Sequence, residues 1–194
     1  MIHDIEEGQR MVFNDLPRYE RRASVKALQH FVLSVDKFTE KQALIVCWFI
    51  FPLIFVLDYE ITARYVFNAP TIWAYDFTYI FYGLFYMLAG AYTLLKDEHV
   101  RIEILYMKMS PRVRSTVEIF GYLIFFFPVF IAYLYYGVHF AWDSYVLQET
   151  AKESIFAPTI WPYKAVMPIA ALLLLIQGLA NFIRHCLIIL GREV

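Results

Sequence analysis

Residues Ala165–Ile183 read AVMPIAALLLLIQGLANFI, a run of nineteen residues without a charged side chain. At a rise of about 1.5 Å per residue, a helix of about 20 residues crosses a hydrocarbon core of about 30 Å. Lipid offers no hydrogen bonds to the backbone, so a segment inside that core must satisfy its own polar groups, as a helix does. This run therefore predicts a transmembrane helix, and it reads as uninterrupted apolar sequence.

Three earlier runs have the same character. They are Ala43–Leu57 with its extension through Asp58 and Glu60 to Phe67, Phe77–Leu95, and Ile119–Trp142, which only His139 interrupts. Hydrophobic residues make up 60% of the chain and charged residues 18%, whereas soluble domains average roughly 45–50% and about 25%. The sequence therefore predicts an all-α integral membrane protein with four transmembrane helices.

An amphipathic helix is predicted ahead of the first span. Apolar side chains recur there at helical spacing, namely Val25, Leu28, Phe31, Val32, Val35 and Phe38. Basic residues occupy much of the remaining surface, which is typical of a helix lying on a membrane. A helix packed against a neighbouring protein domain is the alternative. The predicted organisation is an N-terminal segment (1–41), a four-span domain (42–185) and a tail (186–194).

The distribution of Lys and Arg predicts the orientation. Fourteen of the 17 precede the first span, lie in the second connection or follow the last span: Arg10, Arg18, Arg21, Arg22, Lys26, Lys37, Lys41, Lys96, Arg101, Lys108, Arg112, Arg114, Arg184 and Arg192. The other two connections contain Arg64, Lys152 and Lys164. Because cytoplasmic segments carry an excess of these residues, both termini and the second connection are predicted to be cytoplasmic. The formal net charge of −1 gives no support to nucleic-acid binding.

Ionisable residues are scarce in the middle of the predicted spans, where transporters and pumps usually have them. Asp58, Glu60 and Arg64 cluster at the outer end of the first span, and the last two have the spacing and order of a helical ion pair. One interpretation is a coupling-ion or substrate contact; the favoured one is a paired cluster that fixes the helix at the interface. The chain contains no Cys/His metal spacing, phosphate loop or nucleophile elbow. We therefore predict no catalytic, cofactor or metal site.

Small residues mark faces for close helix packing in lipid. The candidates for packing against a partner are Gly83, Gly90, Gly137 and Ala141. Pro128 is expected to kink the third span, and Pro168 to shape the entry to the fourth.

Histidines raise a different class of function, the membrane anchor of a redox enzyme, with or without haem. His139 lies near the outer end of the third span and His185 near the inner end of the fourth. These two cannot face each other across one haem. The redox anchor stays open as the alternative, and a four-span scaffold unrelated to transport is a third possibility.

Two segments resemble the DctQ family, the small membrane subunits of tripartite ATP-independent periplasmic (TRAP) transporters. The residues that carry the resemblance are Arg64, Asn68, Pro70 and Trp73 in the first segment, and Gly90, Glu98, His99, Arg101 and Glu103 in the second. They resemble the family's first outer connection and its cytoplasmic loop after helix two. One departure is that the family often has an acidic pair after the tryptophan, where this chain has Ala74 and Tyr75 before a single Asp76.

The resemblance implies a small scaffold subunit of a sodium-driven, binding-protein-dependent solute uptake transporter in the bacterial inner membrane. In this family the large permease subunit carries the substrate and sodium sites, and a periplasmic binding protein delivers the solute. The implied partners are therefore the large permease, the binding protein and the lipid bilayer. The resemblance implies neither enzyme activity nor a cofactor.

Overall fold

The structure, a computed structural model, describes residues 18–96, 110–152 and 154–191. Its helices are α1 (Arg18–Cys47), α2 (Ile50–Tyr65), α3 (Ala74–Leu95), α4 (Pro111–Gly121), a π-helical turn (Tyr122–Phe126), α5 (Phe127–Val146) and α6 (Trp161–Ile189). Four stretches of these residues are long and apolar enough to cross a membrane: Val25–Tyr65, Ala74–Leu95, Val113–Val146 and Trp161–Ile189. The prediction of an all-α protein with four such helices is confirmed.

The first span is interrupted near its middle by a proline. Only Trp48 and Phe49 separate α1 from α2. Pro52 has no N–H, and its ring crowds the carbonyl four residues earlier, that of Trp48. This carbonyl accepts instead from the N–H of Phe51, at 3.3 Å. α1 and α2 are therefore two arms of one long helical segment, with a local break that Pro52 imposes.

The residues predicted to form the amphipathic helix are part of α1. Of their apolar stripe, Val25, Val32 and Val35 are buried, whereas Leu28, Phe31 and Phe38 are exposed. Val32 and Val35 are buried together with Ala180 of α6. Lys96, the residue after α3, pairs with Glu40 at 2.9 Å, so α1 before residue 40 continues past the end of α3. The structure thus shows an extension of the first span instead of a separate surface helix. Its placement on a membrane surface stays a prediction.

Helix α6 is the centre of the bundle, since it contacts α1, α3, α4 and α5. We call the end with the connections 66–73 and 147–160 the connection end, and the end at which α3 and α6 finish the tail end. Pro168 was expected at the entry to the last span, but α6 already begins at Trp161, so Pro168 lies inside the helix. There it packs against Gly137 of the antiparallel α5.

Pro128 was expected to kink the third span, and the structure has a π-helical turn directly before it. Pro128 cannot donate to a carbonyl of the preceding turn, and a wider turn absorbs the missing bond, with the N–H of Phe127 donating to the carbonyl of Tyr122. The ring of Phe126 then lies directly on Gly178 of α6. A β-carbon at Gly178 would overlap that ring, so only glycine permits this close approach.

Substitution of Gly178 tests this contact. Gly178→Ala is expected to destabilise the chain by about 1–3 kcal/mol, because the added carbon overfills the contact with Phe126. Gly121→Ala is the matched control, since a β-carbon at Gly121 meets nothing within 4 Å and alanine favours helix by up to about 1 kcal/mol. Thermal unfolding in detergent measures both. Equal unfolding temperatures for the two variants would contradict this account.

Candidate functional site

At the connection end, Glu60 joins the end of α2 to the turn that follows. Its Oε1 accepts hydrogen bonds from Arg64 Nη2 at 2.5 Å and Nε at 2.9 Å. Its Oε2 accepts from the backbone N–H of Thr71 at 3.1 Å and from the Thr71 hydroxyl. That hydroxyl accepts in turn from the N–H of Ala74, the first residue of α3, at 3.3 Å. One carboxylate therefore ties α2 to α3, and the predicted pairing of Glu60 with Arg64 is confirmed.

The other motif residues of this connection shape the turn. Asn68 has a φ of 49°, a left-handed conformation that asparagine tolerates better than most residues. Pro70 follows in the exposed turn. The ring of Trp73 stacks on Tyr59 of α2, with centroids 5.6 Å apart. Together with Arg64, these residues close the α2–α3 hairpin.

Two carboxylates fix the connection of residues 147–160, between α5 and α6, to the bundle. The hydroxyl of Ser154 donates to buried Asp76 near the start of α3. Lys164 Nζ lies 2.5 Å from Glu149 Oε2 and 3.9 Å from the ring centroid of Phe140. The hydrogen bond from Lys164 lowers the pKa of Glu149 below its ordinary value of 4.5. Asp76 thus holds a connection of its own chain.

Toward the tail end, α6 carries a buried polar cluster that was missed in the sequence. Gln177 is fully buried; its Oε1 accepts from the hydroxyl of Thr39 at 2.7 Å, and its Nε2 donates to Asp36 at 3.0 Å. One turn later, buried Asn181 donates to the carbonyl of Leu94 in α3, at 3.0 Å. Neither side chain is charged, so the run Ala165–Ile183 read as apolar. Their spacing of four residues on one helix face was the signal that could have identified them.

Arg184 completes this polar cluster. Its Nη2 lies 2.5 Å from Asp36 Oδ2, and its Nη1 donates to Asn181 Oδ1 at 2.7 Å. Asn181 also donates to the hydroxyl of Tyr122, in the π-helical turn, at 3.3 Å. Three residues of α6 therefore bind α1, α3 and the π-helical turn through side-chain hydrogen bonds.

The arrangement fits a packed membrane bundle whose polar groups serve its own assembly. The chain matches the family model for the DctQ component of tripartite ATP-independent periplasmic transporters over residues 53–187. This chain belongs to the DctQ family. A comparison with curated proteins found no match. The resemblance inferred from the sequence motifs is confirmed, and the DctQ family is a transporter component, not an enzyme.

The small residues of this DctQ-family chain pack mainly against its own α6. A β-carbon on Gly83 would overlap Tyr163. At Gly90 it would meet Leu174 at 3.7 Å, and at Gly137 it would meet Pro168 at 3.5 Å. Ala141 is half-buried. The remaining motif residues, Glu98, His99, Arg101 and Glu103, lie outside the described residues.

The two span histidines of the DctQ-family chain lie at opposite ends of the α5–α6 pair. His139 Nδ1 is 2.9 Å from the carbonyl of Tyr135 on α5. Buried His185, at the tail end, has Nδ1 3.4 Å from the hydroxyl of Ser115. They cannot ligate one haem within the chain. In the described residues, no group of three or more His, Cys, Asp or Glu side chains is placed to hold a metal ion.

Paired glutamine substitutions test the tail-end cluster. Gln177→Leu is expected to lower the free energy of unfolding by about 1–3 kcal/mol, because it removes the hydrogen bonds with Asp36 and with the buried hydroxyl of Thr39. Gln42→Leu is the control: its Nε2 donates to the carbonyl of Leu88 at 3.0 Å, while its buried Oε1 has no partner in the described residues. Losing the hydrogen bond of Gln42 should leave the free energy of unfolding nearly unchanged. Thermal unfolding in detergent compares the two, and equal losses would contradict a special role for Gln177.

Acid should weaken the Glu149–Lys164 pair. A carboxyl whose pKa is lower in the folded state stabilises that state above its ordinary pKa and loses the effect as pH falls through the lowered value. Glu149→Gln should therefore lower the unfolding temperature at pH 7, and its difference from the wild type should shrink as pH falls below about 4.5. A difference that stays constant between pH 7 and pH 3 would show that the ion pair is not its source.

Proposed function

We propose that this chain is the small scaffold subunit of a sodium-driven, binding-protein-dependent uptake transporter, and that it assembles with the large permease subunit. Membership of the DctQ family supports this proposal. The observation that carries the scaffold role is the paired state of the polar side chains in α6. A transport site needs ligands that are open to the solute or ion, commonly near mid-membrane. Here Gln177, Asn181 and Arg184 are committed to other helices of the chain.

The connection-end cluster fits the same role. Glu60 was considered as a coupling-ion or substrate contact, yet both of its oxygens are engaged by Arg64 and Thr71. We therefore assign Glu60 and Arg64 to holding the α2–α3 hairpin, and the coupling sites to the permease subunit.

The proposed placement is the bacterial inner membrane, with both termini cytoplasmic and the connection end facing the periplasm. The lysine and arginine distribution supports this orientation. It puts the first part of α1 on the cytoplasmic side, where Lys26 and Lys37 are exposed beside the exposed Leu28 and Phe31. An exposed surface of that composition favours contact with anionic lipid headgroups. The connection end then faces the periplasmic binding protein.

Reconstitution tests the proposed function. Liposomes with this chain alone should accumulate no solute under an inward sodium gradient, because the coupling sites are assigned to the permease. Liposomes with this chain, the large permease and the binding protein should accumulate the solute that the binding protein carries. Permease and binding protein without this chain are the control. Sodium-driven accumulation by this chain alone would contradict the scaffold role, and so would full activity without it.

A further inference from the structure

Helix α3 carries four tyrosines on one face. Tyr75, Tyr79, Tyr82 and Tyr86 follow each other at spacings of four, three and four residues, which is the period of one helix face. Their exposed fractions are 79%, 56%, 56% and 70%. We call this set the tyrosine face. It lies mostly outside the surface that α3 presents to α6 through Gly83 and Gly90.

The tyrosine face reaches the middle of the span. α3 has 22 residues, so it measures about 33 Å and matches the hydrocarbon core. Tyr86 lies about 18 Å along the axis from the first residue of α3. Even when its side chain leans back by about one turn toward the helix start, its hydroxyl stays well inside the core. Tyrosine is favoured at the interface, where its hydroxyl meets water, and this position offers none.

The two deeper tyrosines have hydroxyl groups without an acceptor in the described residues. Their rings stack on each other, with centroids 6.1 Å apart. Elsewhere the chain presents purely apolar side chains of similar exposure, such as Phe55 of α2 at 70% and Phe125 of the π-helical turn at 71%. Hydrocarbon has no hydrogen bonds to give, so Phe55 and Phe125 suit lipid, while Tyr82 and Tyr86 need a surface with polar groups.

We propose that the tyrosine face is the surface on which the large permease subunit packs, with a transmembrane helix of the permease offering carbonyl, hydroxyl or amide groups to Tyr82 and Tyr86. This inference rests on the proposed function, and it identifies the face of the chain that contacts the permease. Tyrosine supplies a large, stiff contact area with a polar tip and is enriched at protein interfaces. The faces with Phe55 and Phe125 are left to lipid.

The surface next to the tyrosine face is also rich in tyrosine. Tyr163 of α6 packs on Tyr79, with ring centroids 5.2 Å apart. A groove of about 410 Å³ between α5 and α6 is lined by Tyr133, Tyr136 and Met167, among others. The aromatic surface available to the permease therefore extends from α3 toward α5.

Photo-crosslinking in the assembled transporter tests the assignment. The photoreactive residue p-benzoylphenylalanine is placed at position 82, 86, 55 or 125 of the full chain, which is co-expressed with the affinity-tagged large permease of the same transporter. Irradiation is expected to join the chain to the permease from positions 82 and 86, and not from 55 and 125. Crosslinks to the permease only from 55 or 125 would overturn the assignment, as would a covalent dimer of this chain from 86.

Copurification without irradiation separates this inference from the proposed function. If the unmodified chain does not copurify with the permease, the proposed function fails and the tyrosine face fails with it. If the two copurify and no crosslink forms from 82 or 86, only the face assignment fails.

Removal of the hydroxyls alone gives a second readout. Tyr82→Phe/Tyr86→Phe keeps both rings and leaves the chain's own described contacts intact, so its unfolding temperature without permease should not change. Its retention of the permease after detergent washing should fall by roughly tenfold, because two polar groups of the permease lose their partners. Tyr65→Phe, an exposed position at the end of α2, is the control and should retain the permease fully. Equal retention by all three proteins would show that the hydroxyls make no contact.

Discussion

The polar side chains of α6 need partners that a bilayer cannot supply, and the other helices are arranged to supply them. Gln177 and Asn181 are almost completely buried, and an unpaired amide in such surroundings is costly. In α1, Asp36 and Thr39 form hydrogen bonds with Gln177. In α3, the carbonyl of Leu94 in the last turn accepts a hydrogen bond from Asn181. Because each bond requires one particular height along α6, the cluster sets the register of the bundle as well as its contacts.

Close packing then follows along the length of α6. Gly178 lets the π-helical turn approach, and Pro168 packs against Gly137 of α5. At the connection end, Glu60 and Glu149 each tie a connection to the helices beside it. A bundle fastened in this way fits the immobile frame proposed for this chain. The hydrogen bonds and ion pairs described above hold the helices and connections of this chain together.

Local patterns predicted the parts of this structure that depend on local physics. The cost of exposing backbone polar groups to lipid makes four apolar runs into four helices, and four-residue spacing brings Arg64 to Glu60. The apolar spacing of α1 could not say which of its side chains α6 would cover: Val32 and Val35 are buried there, whereas Leu28 stays exposed. The two-residue break between α1 and α2 follows from Pro52, which was overlooked in the sequence. The inward direction of Gly83, Gly90 and Gly137 depends on which helix lies beside them, and that is a tertiary property. Gln177 and Asn181 escaped notice because uncharged amides scarcely change the hydropathy of a leucine-rich run.

The claim that the α6 cluster makes this chain a rigid frame is tested most directly by a distance measurement inside the assembled transporter. Spin labels on Leu44→Cys in α1 and Phe125→Cys in the π-helical turn, with Cys47 and Cys186 replaced by alanine, report the separation of two segments that meet at α6. Pulsed electron–electron double resonance would record the distance between the two labels with and without sodium, solute and binding protein. The account predicts one narrow distance distribution that does not change between these conditions. A second population that appears with sodium and solute would contradict it.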